Sequence, residues 1–201
     1  MAFCASSMPS ATCLCPWLFP EQQAHELSVM AERKQVTIWT DGACLSNPGP
    51  GGYAAVLTCG EHRREISGGY RLTTNNRMEL MAVIAALELL KYPCDVIIRS
   101  DARYVVDGVM KGAMRRWRAA GWRRQHGAIP NADLWARLSE LCERHNVSLE
   151  WIRGHSGISE NERCDQLALQ AAQAAELPTD LGYEQPTLHQ PVEATLFDGL
   201  D

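Results

Sequence analysis

Val36-Thr37-Ile38-Trp39-Thr40-Asp41 alternates apolar and polar residues, is rich in β-branched and aromatic types, and ends on a carboxylate. That period of two predicts a half-buried strand. Val96-Ile97-Ile98-Arg99-Ser100-Asp101 reads as a second strand with the same ending. Glu79 and Asp165 interrupt two other apolar stretches, both helical in period. A carboxylate in such a place is costly unless something compensates for its lost hydration. Two carboxylates about 4 Å apart repel by roughly 4 kcal/mol at an effective dielectric near 20. If the fold gathers all four, protons or divalent cations must hold them. Oxygen-rich acid clusters suit Mg²⁺ or Mn²⁺, which points toward phosphate chemistry.

Working outward, the alternation predicts strands over 35–42, 51–60, 63–70, 94–101 and 148–153. Helical periods cover 75–90, 102–111, 113–120, 131–145 and 160–176. Asn47-Pro48-Gly49-Pro50-Gly51-Gly52 turns the chain between the first two strands, and Gly60-Glu61-His62 between the next pair. Those turn signals predict a three-stranded antiparallel meander. The last two strands are each reached through helices, as parallel additions require. The expected architecture is an α/β fold: a mixed five-stranded sheet, three strands antiparallel and two parallel, with helices packed on it. Asp41 and Asp101 then end strands that are candidates for neighbours.

The 201 residues suit one domain of 35–177 with extensions at both ends. Residues 1–34 lack sustained periodicity and are expected to be poorly ordered, with Met30 an alternative translation start. Residues 178–201 hold three prolines and five acids with no Lys or Arg, the composition of a flexible acidic tail. No apolar run reaches the roughly 18 residues of a membrane helix, and no Lys or Arg precedes Arg33 to start a secretory signal. Eight cysteines without a CxxC pair read as reduced thiols of a cytosolic protein. The net charge of −5 hides a division. All 19 Lys and Arg lie between Arg33 and Arg163, where only 14 of the 24 acids fall, so the body carries +5. A basic body between acidic ends attracts a polyanion.

Each candidate residue has a plainer reading. Asn76-Arg77-Met78-Glu79 has the spacing of a capping box, which would make Glu79 a helix cap. Ser159-Glu160-Asn161-Glu162 offers another, leaving Asp165 beyond the best of the helix dipole or on a solvated face. His155 lies between glycines in Arg153-Gly154-His155-Ser156-Gly157; a loop histidine is usually just exposed, although a mobile one near an activated water can move protons. Lys111, Arg115, Arg116, Arg118, Arg123 and Arg124 occur with Trp117 and Trp122 among them and no acid between residues 108 and 132. Unrelieved positive charge with tryptophans favours a phosphate-backbone contact over a solvated helix face.

Four segments, taken together, resemble bacterial type 1 ribonuclease H. They are Asp41-Gly42-Ala43-Cys44-Leu45-Ser46-Asn47-Pro48-Gly49-Pro50-Gly51-Gly52-Tyr53; Thr73-Thr74-Asn75-Asn76-Arg77-Met78-Glu79-Leu80; Ser100-Asp101 with Tyr104-Val105; and Gly154-His155-Ser156-Gly157 followed by Asn161-Glu162-Arg163-Cys164-Asp165. They stand in the family's order and spacing over about residues 34–176.

The resemblance implies a ribonuclease H-like fold and an endonuclease that hydrolyses the RNA strand of RNA–DNA hybrids, leaving 5′-phosphate and 3′-hydroxyl ends. It implies that Asp41, Glu79, Asp101 and Asp165 hold two Mg²⁺ ions, with Mn²⁺ able to substitute, and that His155 shuttles protons or aids product release. Asn47, Asn75, Asn76 and Arg103 become candidates for the minor groove and its 2′-hydroxyls. Thr74 and the basic segment with Trp117 and Trp122 become candidates for the DNA strand. Arg103 departs from the usual Gln, which bears on base preference. A monomer is expected. Leu196 and Phe197, in Glu193-Ala194-Thr195-Leu196-Phe197, loosely resemble a sliding-clamp docking peptide, with Glu193 where Gln is favoured. The rivals are an integrase- or resolvase-type nuclease of the same fold, which lacks the Thr-Asn-Asn-Arg-Met-Glu segment together with the His loop, and a non-catalytic hybrid-binding module, which needs no acid cluster.

Overall fold

A computed structural model of the chain describes residues 33–125 and 127–186. The expectations for residues 1–32 and for Leu196 and Phe197 lie outside the described residues.

Five strands form one sheet: β1 (Lys34–Cys44), β2 (Gly49–Cys59), β3 (His62–Thr73), β4 (Cys94–Ser100) and β7 (Asn146–Trp151). Their order is β3-β2-β1-β4-β7, with β1–β2 and β2–β3 antiparallel and β1–β4 and β4–β7 parallel. This is the expected mixed sheet. A hairpin of β5 (Arg123–Arg124) and β6 (Gly127–Ala128) stands apart from it. The helices are α1 (Asn75–Glu88), α2 (Arg103–Met110), α3 (Ala113–Ala119), α4 (Ala132–Arg144), α5 (Ser159–Ala172) and the short α6 (Leu181–Glu184).

Alternation decides which face of β1 is buried. Val36, Ile38 and Thr40 are buried, while Thr37 and Trp39 are half-buried. Gly42 continues the buried set and meets α1, whereas Gly52 on β2 meets Ala168 and Ala172 of α5. The two helices therefore cover opposite faces of the sheet. α1 is buried from Met78 to Leu87 apart from its Glu79 and Ala85 positions, because it lies between the sheet and α4. Its run of Ala, Leu and Met suits contact on two sides, where a single apolar stripe would not. The core is centred on Ile38, Leu80, Ile84, Leu87, Ile98, Leu138 and Trp135, all fully buried. Each such side chain contributes about 1.5–3 kcal/mol relative to exposure.

Two expectations need correction. Neither predicted capping box forms: the N-cap positions are Thr74 for α1 and Ile158 for α5, without side-chain caps, and the Ser159 hydroxyl bonds its neighbour Glu160 instead. The expected boundary at 177 is also too early. Arg71 N–H donates to the Pro178 carbonyl, Asp180 is buried, and α6 packs against β3. Flexible-tail composition misled here because one acid, Asp180, has a buried partner far away in sequence.

Candidate active site

Thr40 and Ser100 are register partners across the parallel β1–β4 ladder, so Asp41, still within β1 and paired with Ala54 of β2, stands beside Asp101 just past the end of β4. Parallel pairing of β1 with β4 is the reason two distant aspartates share one site. Gly42 brings in the third acid. A Cβ there would sit 2.5 Å from the Met78 carbonyl carbon and 2.9 Å from the Glu79 Cα, so only glycine lets α1 cross this close. The fourth arrives on α5, which approaches β2 at Gly52, where a Cβ would come 2.6 Å from the Ala172 nitrogen. The Cys164 thiol donates to the Trp39 carbonyl at 3.3 Å and pins the turn that carries Asp165 over β1.

The carboxylates act on one another. Burial first, and then the charges of Asp101, Asp165 and Glu79, push the Asp41 carboxyl up to about 7, although the Gly42 N–H at 2.7 Å favours its ionised form. Burial and Asp101 push Glu79 up to about 7 as well, against a 2.8 Å hydrogen bond donated by the Asn75 side-chain amide. Among the described residues no three His, Cys, Asp or Glu side chains close on one point as a finished cage. The arrangement is an open, oxygen-only acid cluster with surplus negative charge. That fits Mg²⁺, which binds through one or two carboxylates, keeps waters and takes substrate phosphate oxygens for the rest of its shell.

Asn75 links this cluster to its surroundings. Its backbone N–H donates to the Asn47 side chain at 3.3 Å, in the turn whose Asn47–Pro48 bond is cis. Thr74, at the N-cap position, is half-buried and Asn76 is exposed. His155 is exposed at a φ of +49°, on a loop that closes on Asp101 at Gly154, where a Cβ would collide with the Asp101 carboxylate. Sequence reading missed Trp151, whose indole N–H donates to the Asp101 carbonyl at 3.1 Å and whose ring lies 3.9 Å beneath the Arg103 guanidinium. Its signal is an exposed tryptophan closing the strand just before the histidine loop.

The basic segment is less free than its sequence suggests. Lys111 pairs with Asp107 at 2.8 Å, Arg118 forks onto Glu143, and Arg116 donates to the Lys111 carbonyl at 3.0 Å. Asp107 is a sequence neighbour on the same helix, but folding brings Glu143 of α4 to a stretch with no acid between residues 108 and 132. Trp117 packs edge-on against Trp135 with centroids 5.3 Å apart, and Trp122 is half-buried against the same core. Trp117 also carries Arg124 at 5.9 Å over its ring. Packing accounts for both tryptophans. Arg115 and Arg123 are exposed.

The RNase H family model matches residues 33–173. A ribonuclease H of Syntrophus aciditrophicus is 57% identical over 152 residues, covering 75% of this chain and 88% of that one. One of Trichodesmium erythraeum is 54% identical over 154 residues, covering 76% and 98%. Among solved structures, LC9-RNase H1, a type 1 RNase H with the type 2 active-site motif, is similar with a TM-score of 0.64 at 32% identity, over 70% of this chain and 72% of that one. LC11-RNase H1, solved in complex with RNA/DNA hybrid, gives a TM-score of 0.54 at 26% identity over 68% and 96%. The ordered acid cluster and these matches agree, and the chain belongs to the RNase H family, alongside its bacterial members.

Proposed function

We propose that this chain is an endonuclease that hydrolyses the RNA strand of RNA–DNA hybrids and leaves 5′-phosphate and 3′-hydroxyl ends. The observation that carries the reading is the convergence of four acids: Asp41 beside Asp101 through the β1–β4 register, Glu79 across the close contact at Gly42, and Asp165 on α5 beside the Cys164–Trp39 bond. Burial and the neighbouring carboxylates push Asp41 and Glu79 up to about 7. Four acids from four separate elements, gathered against their own repulsion, are explained by a cationic occupant. Asp41, Glu79, Asp101 and Asp165 would hold two Mg²⁺ ions, with Mn²⁺ able to substitute; bound there, such ions supply Lewis acidity and an activated water.

The chain's own residues do the rest. Asn75 orients Glu79 through its side-chain amide and is itself oriented by Asn47. Thr74, Asn75, Asn76 and Asn47 present hydroxyl and amide groups beside the acids, suited to ribose 2′-hydroxyls and phosphate oxygens. Arg103 offers a guanidinium fork next to Asp101, and Arg115, Arg123 and Arg124 offer positive charge to the second strand. His155 stands on a loop free enough to carry a proton to the departing 3′-oxygen or to help the product leave. All four acids come from one chain, which supports action as a monomer. Leu196 and Phe197 would anchor the enzyme on a sliding clamp, a contact that titration of peptide 186–201 against purified clamp tests. Among the described residues no helix is long and apolar enough to cross a membrane.

The deciding experiment incubates the protein with end-labelled hybrid, double-stranded RNA and double-stranded DNA, each with Mg²⁺ or with chelator. Internal cleavage of the hybrid RNA alone, abolished by chelator, is expected. Equal cleavage of double-stranded DNA, or hybrid cleavage that survives chelation, would overturn the reading.

A further inference from the structure

The segment Thr74-Asn75-Asn76 is gripped at both ends by a piece of chain that lies beyond the family match. Asp180 accepts from the Thr73 hydroxyl at 2.7 Å, on the residue just before the segment. It also accepts from Arg77 Nε at 2.7 Å and Nη2 at 2.8 Å, on the residue just after it. The other edge of the Arg77 fork donates to Asp133 of α4 at 3.0 and 2.7 Å. Arg77 is 3% exposed and the Asp180 side chain 5%, so solvent hardly screens the pair. Gly182 lets α6 sit against the fork: a Cβ there would come 2.5 Å from Arg77 Nη2. Outside, Arg71 pairs with Glu184 at 2.7 Å.

Holding α1 on the sheet does not need this network. Met78, Leu80, Met81 and Ile84 already bury the helix. Taking an arginine and an aspartate out of water is expensive, and apolar replacements of similar volume are often no less stable. What an ionic fork adds is a fixed direction and length, imposed at Thr73 and Arg77. Between those residues stand the groups that meet Asn47 and Glu79.

We propose that residues 178–184 form a positioning clasp. Asp180, through Arg77 and Thr73, sets where Thr74, Asn75 and Asn76 stand relative to the acid cluster, and so sets affinity for the hybrid. The inference rests on the hybrid-cleaving function proposed above. The Asp180 carboxylate is buried and engaged by Thr73 and Arg77, so it acts as a positioning residue.

The test measures hybrid binding by fluorescence anisotropy without divalent ions, in full-length Asp101→Asn protein, beside melting temperature and the backbone amide resonance of Asn75. Adding Asp180→Asn should raise Kd about fivefold or more and shift the Asn75 amide. Thr73→Val, which keeps the volume and removes one hydrogen bond, should raise Kd about threefold, and Thr73→Ser should restore it. Glu88→Gln, on the exposed Arg137 pair outside residues 178–184, should leave Kd unchanged. A lowered melting temperature with Kd and the Asn75 amide unmoved in Asp180→Asn and Thr73→Val would make the network purely structural and overturn the proposal. If Asp180→Asn does not fold, the Thr73 pair decides alone. Failure of the parent protein to cleave hybrid would instead overturn the function, which separates the two.

Discussion

Gly42 lies directly beneath the backbone of Glu79, with no room between them for a methyl group. One residue thus supplies a strand position beside Asp41 and the clearance that lets the Glu79 helix reach it. Gly42→Ala must push α1 away from β1 or bend the strand. Misplacement by about 1 Å is enough to cost roughly 100-fold in rate. The expected result is a loss of hybrid cleavage on that order, with a lower melting temperature because the core under Met78 opens. Parent-like turnover in Gly42→Ala would show that the close approach is irrelevant to the site.

Repulsion among the acids makes a signed expectation for stability. Asp41 and Glu79 titrate near 7 in the fold, against ordinary values of 3.8 and 4.5. Between about pH 4 and pH 7 the native state keeps protons that the unfolded chain has released, so these groups lower stability as pH rises toward 7. Asp101 is the largest neighbouring charge acting on both. In chelator, Asp101→Asn should therefore melt several degrees higher than the parent at pH 8, with the gap narrowing toward pH 4. Each unit of relieved shift is worth about 1.4 kcal/mol, or roughly 3–6 °C at this size. Glu65, held down to about 2 by Arg163 and Arg63, contributes the opposite slope below its ordinary value of 4.5 in both proteins and cancels in the comparison. The same variant should lose hybrid cleavage entirely. A destabilised Asp101→Asn at pH 8, or an active one, contradicts the account.

Strand alternation and turn chemistry made the sheet legible, because both are local: the order of β1, β2 and β3 follows from Asn47-Pro48-Gly49 and Gly60-Glu61 alone. The convergence of Asp41 with Asp101 needed only parallel pairing of β1 with β4, although β1 runs on past Asp41 to Cys44. What could not be read were contacts between elements. Glu79 has capping spacing, yet α1 starts two residues earlier than that box requires, and its carboxylate meets Asn75 instead. Asp180 sits in tail-like composition, yet its partner is Arg77, 103 residues away. Arg118 stands in a run without acids, yet α4 delivers Glu143 to it.

That last contact divides the basic segment. Arg115 is exposed, whereas Arg118 is engaged with Glu143 and Ser139. Each phosphate contact contributes about 0.9 to the salt slope on a duplex. Arg115→Gln should raise KM and flatten its salt dependence by up to that amount, with kcat little changed. Arg118→Gln should leave the slope alone and instead lower the melting temperature slightly. Replacing Arg115, Arg118 and Arg123 together should raise KM further, still at near-parent kcat. A large fall in kcat at saturating hybrid would mean that the segment shapes the acid cluster.

Arg103 stacks on Trp151, and Trp151 is tied to the Asp101 carbonyl, so three residues form one unit at the mouth of the site. Stacking over an exposed indole is worth about 0.5–1 kcal/mol and keeps the guanidinium flat, with its N–H donors turned outward. Trp151 is 42% exposed, so the platform is open to solvent beside Asp101. A pinned fork differs from an amide in charge and in reach. Arg103→Gln should therefore change which positions of a mixed-sequence hybrid are cut first. It should also weaken binding at low salt, reducing the salt slope by about 0.9 if the fork meets a phosphate. An unchanged slope with a changed cleavage pattern would assign it to base edges or sugars. Trp151→Phe keeps a ring under Arg103 but loses the N–H to Asp101, so kcat should fall while the pattern stays as in the parent. Identical cleavage ladders from parent and Arg103→Gln, at every salt concentration, would remove Arg103 from substrate recognition and leave its stack on Trp151 as packing.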